Sequence, residues 1–235
     1  MNGRKISVVI PYYNRSDLIK ETLAPLLIDN RIDDIVLCDD RSKPDDFQKL
    51  LKFTESSPKV RVLRNCDNFG NQHNKKACLS FAKNEWAIIL DNDNVVTTDF
   101  IDKLYEYAVW YENTIYHPDF AYPNFNYRHF GGKVIRKETA KTFCSDPIFM
   151  TLLNTNNYFV NVESYMESYV YDKNIKGADG IFFAYNWIKD GKSIFVVNDM
   201  QYFHRVHEGS CFLANTDINM KLINFWLNKV KNING

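Results

Sequence analysis

Three features of the 235-residue sequence predict an α/β domain with a mainly parallel central sheet flanked by helices and a smaller mixed portion. Short β-branched apolar runs end abruptly in polar residues, which is how buried parallel strands read. Between them lie stretches whose apolar residues recur at helical spacing, and strands alternating with helices build right-handed crossovers. The composition, 45% hydrophobic and 25% charged, suits one sizeable core rather than two independent domains.

The elements follow in order. Ile6 to Ile10 and Ile35 to Cys38 are strands, and Arg15 to Leu27 between them is a helix, giving one βαβ unit. Val60 to Leu63 is a third strand, Asn71 to Ala82 a helix and Trp86 to Leu90 a fourth strand. Thr97 or Thr98 caps the next helix, Phe100 to Tyr111. From Tyr116 to Phe130 the aromatics Tyr116, Phe120, Tyr122, Phe125, Tyr127 and Phe130 alternate with prolines and polar residues, which reads as strand and loop. Gly180 to Lys189 returns to helix, Ser193 to Val197 to strand, and Asp217 to Ile233 forms a terminal helix with an apolar stripe through Ile218, Leu222, Phe225 and Trp226.

Lys plus Arg and Asp plus Glu number 29 each, so no net field argues for nucleic acid as a partner. Five cysteines, Cys38, Cys66, Cys78, Cys144 and Cys211, show no Cys-x-x-Cys pairing, which fits a reduced, cytoplasmic compartment better than a disulfide framework or a structural zinc site. The run Ile6 to Ile10 is too short for a signal peptide or a membrane span.

The chemistry concentrates where strands end. Trp86 to Leu90 delivers Asp91 and Asp93, around Asn92, to a strand's carboxyl end, the side on which open α/β sheets bind ligands. Two such carboxylates suit a divalent cation facing a phosphate. They equally suit a polar turn that caps the next helix. A calcium loop is excluded, because Val95 and Val96 stand where a ligand and a glycine are required. The first strand ends in Pro11-Tyr12-Tyr13-Asn14 and the second in Asp39-Asp40-Arg41-Ser42, so three strand ends converge. Asp40 can accept from a ribose or base edge, Tyr12 or Tyr13 can cover a base, and Lys75 can reach a phosphate.

Taken in order, Ser7-Val8-Val9-Ile10-Pro11-Tyr12-Tyr13-Asn14, Asp39-Asp40-Arg41-Ser42, Asn68-Phe69-Gly70 and Leu90-Asp91-Asn92-Asp93 resemble glycosyltransferase family 2. The resemblance implies a single domain over 1–235 with the Rossmann-like GT-A fold, in which 1–100 binds the nucleotide sugar and 101–235 the acceptor. It implies an inverting enzyme that takes a sugar from a nucleotide-diphosphate donor, a UDP-sugar first, with Mn²⁺ or Mg²⁺ as cofactor. Asp93 would be the direct metal ligand, and Asp91 would hold the ribose or the metal's water shell. Asp40 would contact the nucleoside, and Pro11 and Tyr13 would line the base pocket. Tyr12, Asn14, Asn68, Gly70, Lys75 and Asn92 would complete nucleotide binding. Within Lys176-Gly177-Ala178-Asp179-Gly180, Asp179 occupies the place of the catalytic base. A helix cap or first-turn charge is its rival role. In Tyr202-Phe203-His204-Arg205-Val206-His207, His207 matches the family's late metal ligand, with His204 and Arg205 as diphosphate or alternative metal contacts.

Two departures bear on substrate. Ala178 stands where the family usually has an acid, and Asn74-Lys75-Lys76-Ala77-Cys78 replaces the usual Ala-Arg-Asn-x-Gly. The aromatic cluster suits core packing or sugar stacking. The terminal helix, with Lys221, Lys229 and Lys231 beside Trp226, is expected to dock on the sheet, or else to rest on a membrane bearing a lipid-linked acceptor. A glycan or lipid-linked hydroxyl is the expected acceptor. Two rival classes remain: a sugar nucleotidyltransferase, disfavoured because Pro11 to Ser16 holds no glycine, and a non-catalytic nucleotide-sugar-binding subunit.

Overall fold

The structure is a computed structural model that describes residues 3–206 and 216–233. Its first half is a regular alternation: β1 (Ile6–Tyr12), α1 (Ser16–Ile28), β2 (Ile32–Asp39), α2 (Pro44–Thr54), β3 (Val60–Arg64), α3 (Asn71–Ser80), β4 (Trp86–Ile89) and α4 (Thr98–Tyr105). The second half carries β5 (Thr114–Tyr122), β6 (Phe125–Asn126), β7 (Val134–Ile135), α5 (Ala140–Phe143), α6 (Phe149–Asn154), β8 (Tyr158–Asn161), α7 (Val162–Ser168), α8 (Asp179–Lys189), β9 (Ser193–Phe203) and α9 (Thr216–Lys231).

The strands of the described residues join one sheet in the order β3-β2-β1-β4-β8-β5-β9-β7, with β6 beside β5. The pairs β3–β2, β2–β1 and β1–β4 are parallel, and so is β5–β9. The strand β8 runs antiparallel to both β4 and β5, so the sheet is parallel at one end and mixed at the other. Chain order reverses across β1, with β2 on one side and β4 on the other. A crevice therefore opens between the carboxyl ends of β1 and β4, the topological switch point at which doubly wound sheets bind ligands.

The apolar runs Ile6, Val8, Val9, Ile10 on β1 and Ala87, Ile88, Ile89 on β4 are fully buried, as parallel strands covered on both faces require. Several elements depart from the sequence reading. The helix expected over Phe100 to Tyr111 stops at Tyr105, after which Trp110 turns its indole N–H onto the Leu104 carbonyl and packs on Trp86 and Phe159. Thr97 holds the cap position of α4 without a side-chain cap bond. Of the aromatic cluster, Tyr116, Tyr127 and Phe130 are core, Phe125 reaches the cleft described below and Tyr122 is half exposed. The terminal helix α9 docks on helices, Trp226 packing on Phe182 and Tyr185 of α8 at ring distances of 4.7 and 5.2 Å. Among the described residues, Cys38, Cys66, Cys78 and Cys144 are free thiols, and no helix is long and apolar enough to cross a membrane.

Candidate active site

A cleft of about 770 Å³ opens at the switch point. That volume is within the range of about 300–1,000 Å³ that small-molecule sites occupy. Of the residues singled out from the sequence, Pro11, Tyr12, Tyr13, Asp40, Asn68, Gly70, Asp91, Asn92, Asp93, Asp179, His204 and Arg205 line it. Asn14 and Lys75 are set back from the lining, and His207 lies outside the described residues.

At the β1 edge the two tyrosines separate. Tyr12 is fully buried, its hydroxyl donating to Asp46, whose other oxygen accepts from the Ser16 amide at 3.1 Å and so ties α2 to the start of α1. Burial and the adjoining Asp46 carboxylate push the Tyr12 phenol well above its ordinary range, so it stays neutral. Tyr13 is 46% exposed and is the ring free to cover a planar group. Asn14 adopts a positive φ of 49° and braces the turn, accepting from the Lys43 amide at 2.9 Å while its own amide donates to Ser42 Oγ at 2.8 Å.

Asp40 is likewise buried. Its Oδ1 accepts from the Phe69 amide at 2.9 Å and from Asn65 Nδ2 at 2.8 Å, and its Oδ2 accepts from the Gly70 amide at 2.8 Å. The carboxylate thereby fixes the loop from Asn65 to Gly70 as one wall of the cleft. Gly70 turns there with φ +82°, a conformation that L side chains rarely adopt, and its carbonyl accepts the first α3 bond, from Asn74.

The β4 edge presents Asp91. Asn157, just ahead of β8, accepts from the Asp91 amide at 2.8 Å and donates to Asp91 Oδ2 at 3.2 Å. Although 30% of the Asp91 side chain is exposed, the cleft walls strip water from it. Burial pushes its carboxyl up to about 6, against the pull of Lys75 and Asn157 and with the Asp93 and Asp179 charges adding to the rise.

Asp179 opens α8, where Ala178 and not Asp179 takes the cap position. Its side chain is 5% exposed and reaches across the cleft wall to α3. Lys75 Nζ stands 2.7 Å from Asp179 Oδ2 and 3.8 Å from Asp91 Oδ1, and Asn71 Nδ2 donates to the same Asp179 Oδ2 at 3.3 Å. Lys75, expected from the sequence to reach a phosphate, is instead 2% exposed and turned toward these two carboxylates. A single buried ammonium thus links the downstream acid to the Asp-Asn-Asp turn.

After β9, Val95 and Phe203 exchange backbone bonds of 3.0 and 2.8 Å, which lays His204 and Arg205 beside that turn. Arg205 is engaged throughout: Nε donates to the Asp93 carbonyl, Nη1 to Glu21 at 2.7 Å, and Nη2 to Thr22 Oγ1 at 2.8 Å and the Leu18 carbonyl at 3.3 Å. It clamps the Asp-Asn-Asp turn to α1. His204 Nδ1 and Asn124 Nδ2 are 2.9 Å apart, the amide donating to the ring.

Asp91 and Asp93 are the carboxylates that could hold a divalent cation. Hard oxygen donors suit Mg²⁺ or Mn²⁺, which commonly take one or two protein carboxylates and complete their shell with water and substrate phosphate. Among the described residues no group of three or more His, Cys, Asp or Glu side chains is placed to hold a metal ion.

Sequence reasoning missed Asn157, Asn71, Asn154 and Arg15, all of which line the cleft. The polar run Asn154-Thr155-Asn156-Asn157 directly before the apolar Tyr158-Phe159-Val160 was the available signal for two of them.

The sheet order and the crevice at its switch point define the GT-A fold, shared with S. aureus TarS 1-349 in complex with UDP-GlcNAc (TM-score 0.69, 15% identity, 97% of this chain and 70% of that one). The mannosyltransferase PcManGT of Pyrobaculum calidifontis, in complex with GDP-Man and Mn²⁺, is also similar (TM-score 0.63, 12% identity, 97% and 73%). The chain belongs to glycosyl transferase family 2, whose sequence profile matches residues 7–161. It is 31% identical over 102 residues to the glycosyltransferase GlyG of Streptococcus pneumoniae serotype 4, covering 43% of this chain and 34% of that protein. It is 27% identical over 108 residues to a poly(ribitol-phosphate) beta-glucosyltransferase of Bacillus spizizenii, covering 44% and 17%. The matches therefore span about a third or less of the length of these curated relatives.

Proposed function

We propose that this chain transfers a sugar from a nucleoside-diphosphate donor to a hydroxyl acceptor, with inversion at the anomeric carbon and Asp179 as the base. One observation carries the reading: Asp179, remote in sequence, lines the same cleft as Asp91 and Asp93 and shares Lys75 with Asp91.

The donor's base would lie against Tyr13 and the Pro11 edge, in a pocket whose loop wall Asp40 holds. Asp93, with Asp91 beside it, would hold a Mn²⁺ or Mg²⁺ ion. Bound there, that ion would offset negative charge on the leaving diphosphate. Asp179 Oδ2 is occupied by Lys75 and Asn71, while Oδ1 takes no hydrogen bond from the described residues and is the acceptor for a proton. As the acceptor hydroxyl oxygen bonds to the anomeric carbon, its proton passes to Oδ1 and the bond to the diphosphate breaks with its electron pair. Attack opposite the leaving group inverts the centre. Residues 1–100 supply most of the donor side, and 101–235 the base and the acceptor side. His207 and His204 are the histidines proposed to meet the metal or diphosphate. The complexes named for the neighbours support a UDP- or GDP-sugar, and the name of one relative, a poly(ribitol-phosphate) beta-glucosyltransferase, supports a polyol-phosphate acceptor.

The test is a panel of nucleotide sugars with Mn²⁺, scored by thermal shift and by release of nucleoside diphosphate. A donor that binds only the native state raises the melting temperature, and slow hydrolysis of that same donor is expected. Binding without turnover, with water or any acceptor pool, would replace this reading by a non-catalytic nucleotide-sugar-binding subunit.

A further inference from the structure

The place of Lys75 is unusual for a residue at a nucleotide site. A lysine that binds phosphate needs its ammonium in the open, where a mobile anion can reach it. Lys75 is 2% exposed, and its Nζ lies 2.7 Å from Asp179 Oδ2. The second carboxylate, Asp91, is 3.8 Å away. At such a burial the attraction of ammonium and carboxylate is only weakly screened, and an unpaired partner would be costly.

The helix explains how the grip arises. Asn71 and Lys75 stand four residues apart on α3, so both project from one face, and both reach the same oxygen of Asp179. That oxygen, Oδ2, is saturated from one side. Its partner, Oδ1, is left without a hydrogen bond among the described residues, in a residue that lines the cleft.

We infer that Lys75, with Asn71, is a positioning residue for Asp179: it holds one carboxylate oxygen so that the other faces the acceptor hydroxyl, and it is not a ligand of the donor's diphosphate. The inference rests on the sugar-transfer reading for what Asp179 does, though not for which group Lys75 holds. The same ammonium, 3.8 Å from Asp91, ties the base to the Asp-Asn-Asp turn.

The experiment combines binding, turnover and stability. In Lys75→Met, the Kd for UDP with Mn²⁺, measured by calorimetry, is expected to stay within about threefold of wild type, while kcat for hydrolysis of the donor found in the panel falls about tenfold or more. In an Asp179→Asn background the same Lys75→Met change is expected to lower kcat no further. Lys75→Arg, which keeps the charge, should restore most of the turnover. Because Lys75→Met strands a buried carboxylate, folding is checked by the Lys75→Met, Asp179→Asn double variant, which removes both charges and should recover the melting temperature lost by the single one.

A rise in the UDP Kd of about tenfold or more in Lys75→Met would make Lys75 a diphosphate ligand and overturn the inference. So would additive stability losses in the double variant. If the wild type binds UDP but hydrolyses no donor, the sugar-transfer reading fails. The Kd and the stability cycle then still decide whether Lys75 belongs to Asp179.

Discussion

Asn157 holds Asp91 at two points, accepting from its amide at 2.8 Å and donating to its Oδ2 at 3.2 Å. The antiparallel strand β8 makes this contact. Ile89 of β4 pairs with Tyr158, so the start of β8 lies beside the end of β4 and brings Asn157 to the turn that carries Asp91 and Asp93. Asn157 is buried, and each of its bonds would otherwise leave a polar group facing protein.

Asn157→Leu is therefore expected to destabilise the fold by about 1–3 kcal/mol, the cost of stranding buried hydrogen-bonding groups. Beyond that loss, the Mn²⁺ concentration needed for half-maximal UDP binding should rise, because Asp91 is released. Urea unfolding and calorimetry measure the two effects separately. Unchanged Mn²⁺ dependence would remove Asn157 from the site.

A glycine controls where Asp179 sits. A Cβ at Gly180 would lie 2.4 Å from the Asn154 carbonyl oxygen, and Asn154 also accepts from the Ile181 amide at 3.2 Å. Backbone cannot yield as a side chain can, so Gly180→Ala is expected to push the start of α8 away from α6. A shift of about 1 Å in a reacting group is enough to cost about a hundredfold in rate. Turnover should fall steeply while UDP binding, proposed at the β1 and β2 ends, changes little. Equal losses in both would point to general unfolding, which circular dichroism would report.

His117 gives the fold a pH dependence. It is buried on β5 and donates from Nδ1 to the Pro118 carbonyl at 2.7 Å. Burial pushes its pKa from the ordinary 6.5 down to about 4, so the folded state binds the proton less readily than the unfolded chain. Its contribution is complete above about pH 6.5 and is lost as pH falls toward about 4. The slope from this one group is at most about 1.4 kcal/mol per pH unit. Urea unfolding of wild type and His117→Gln at pH 7 and 5 should show a shallower fall in the variant, and parallel falls would assign the effect elsewhere.

Legibility followed the physics of burial. The runs Ile6 to Ile10 and Trp86 to Leu90 were readable because strands covered on both faces must be continuously apolar. With their ends came Pro11, Tyr13, Asp91 and Asp93, and with the end of the run Ile35 to Cys38 came Asp40. The helix α2 escaped notice, although Pro44 at its first turn followed by Asp45 and Asp46 is a start signal, because its interior is largely polar. Strand β8 was invisible as a site element. Its four residues carry no periodicity, and only its antiparallel insertion between β4 and β5 brings Asn157 forward. Strand β9 runs on to Phe203, past the expected end at Val197, because Asp199 takes a positive φ of 58° and the pairing with β5 shifts register there. Lys75 was legible as a cation but not as a buried one. Nothing local to α3 announces that Asp179, 104 residues later, folds against it.

The central claim is that Asp179 takes the proton in a cleft where Asp93 and Asp91 would hold the metal ion that meets the donor's diphosphate, and Asp179→Asn tests it most directly. The amide preserves the shape and removes the base. With the donor identified by the nucleotide-sugar panel, the variant should bind UDP with Mn²⁺ within about threefold of wild type and turn over about a hundredfold or more slowly. Turnover at the wild-type rate would contradict it.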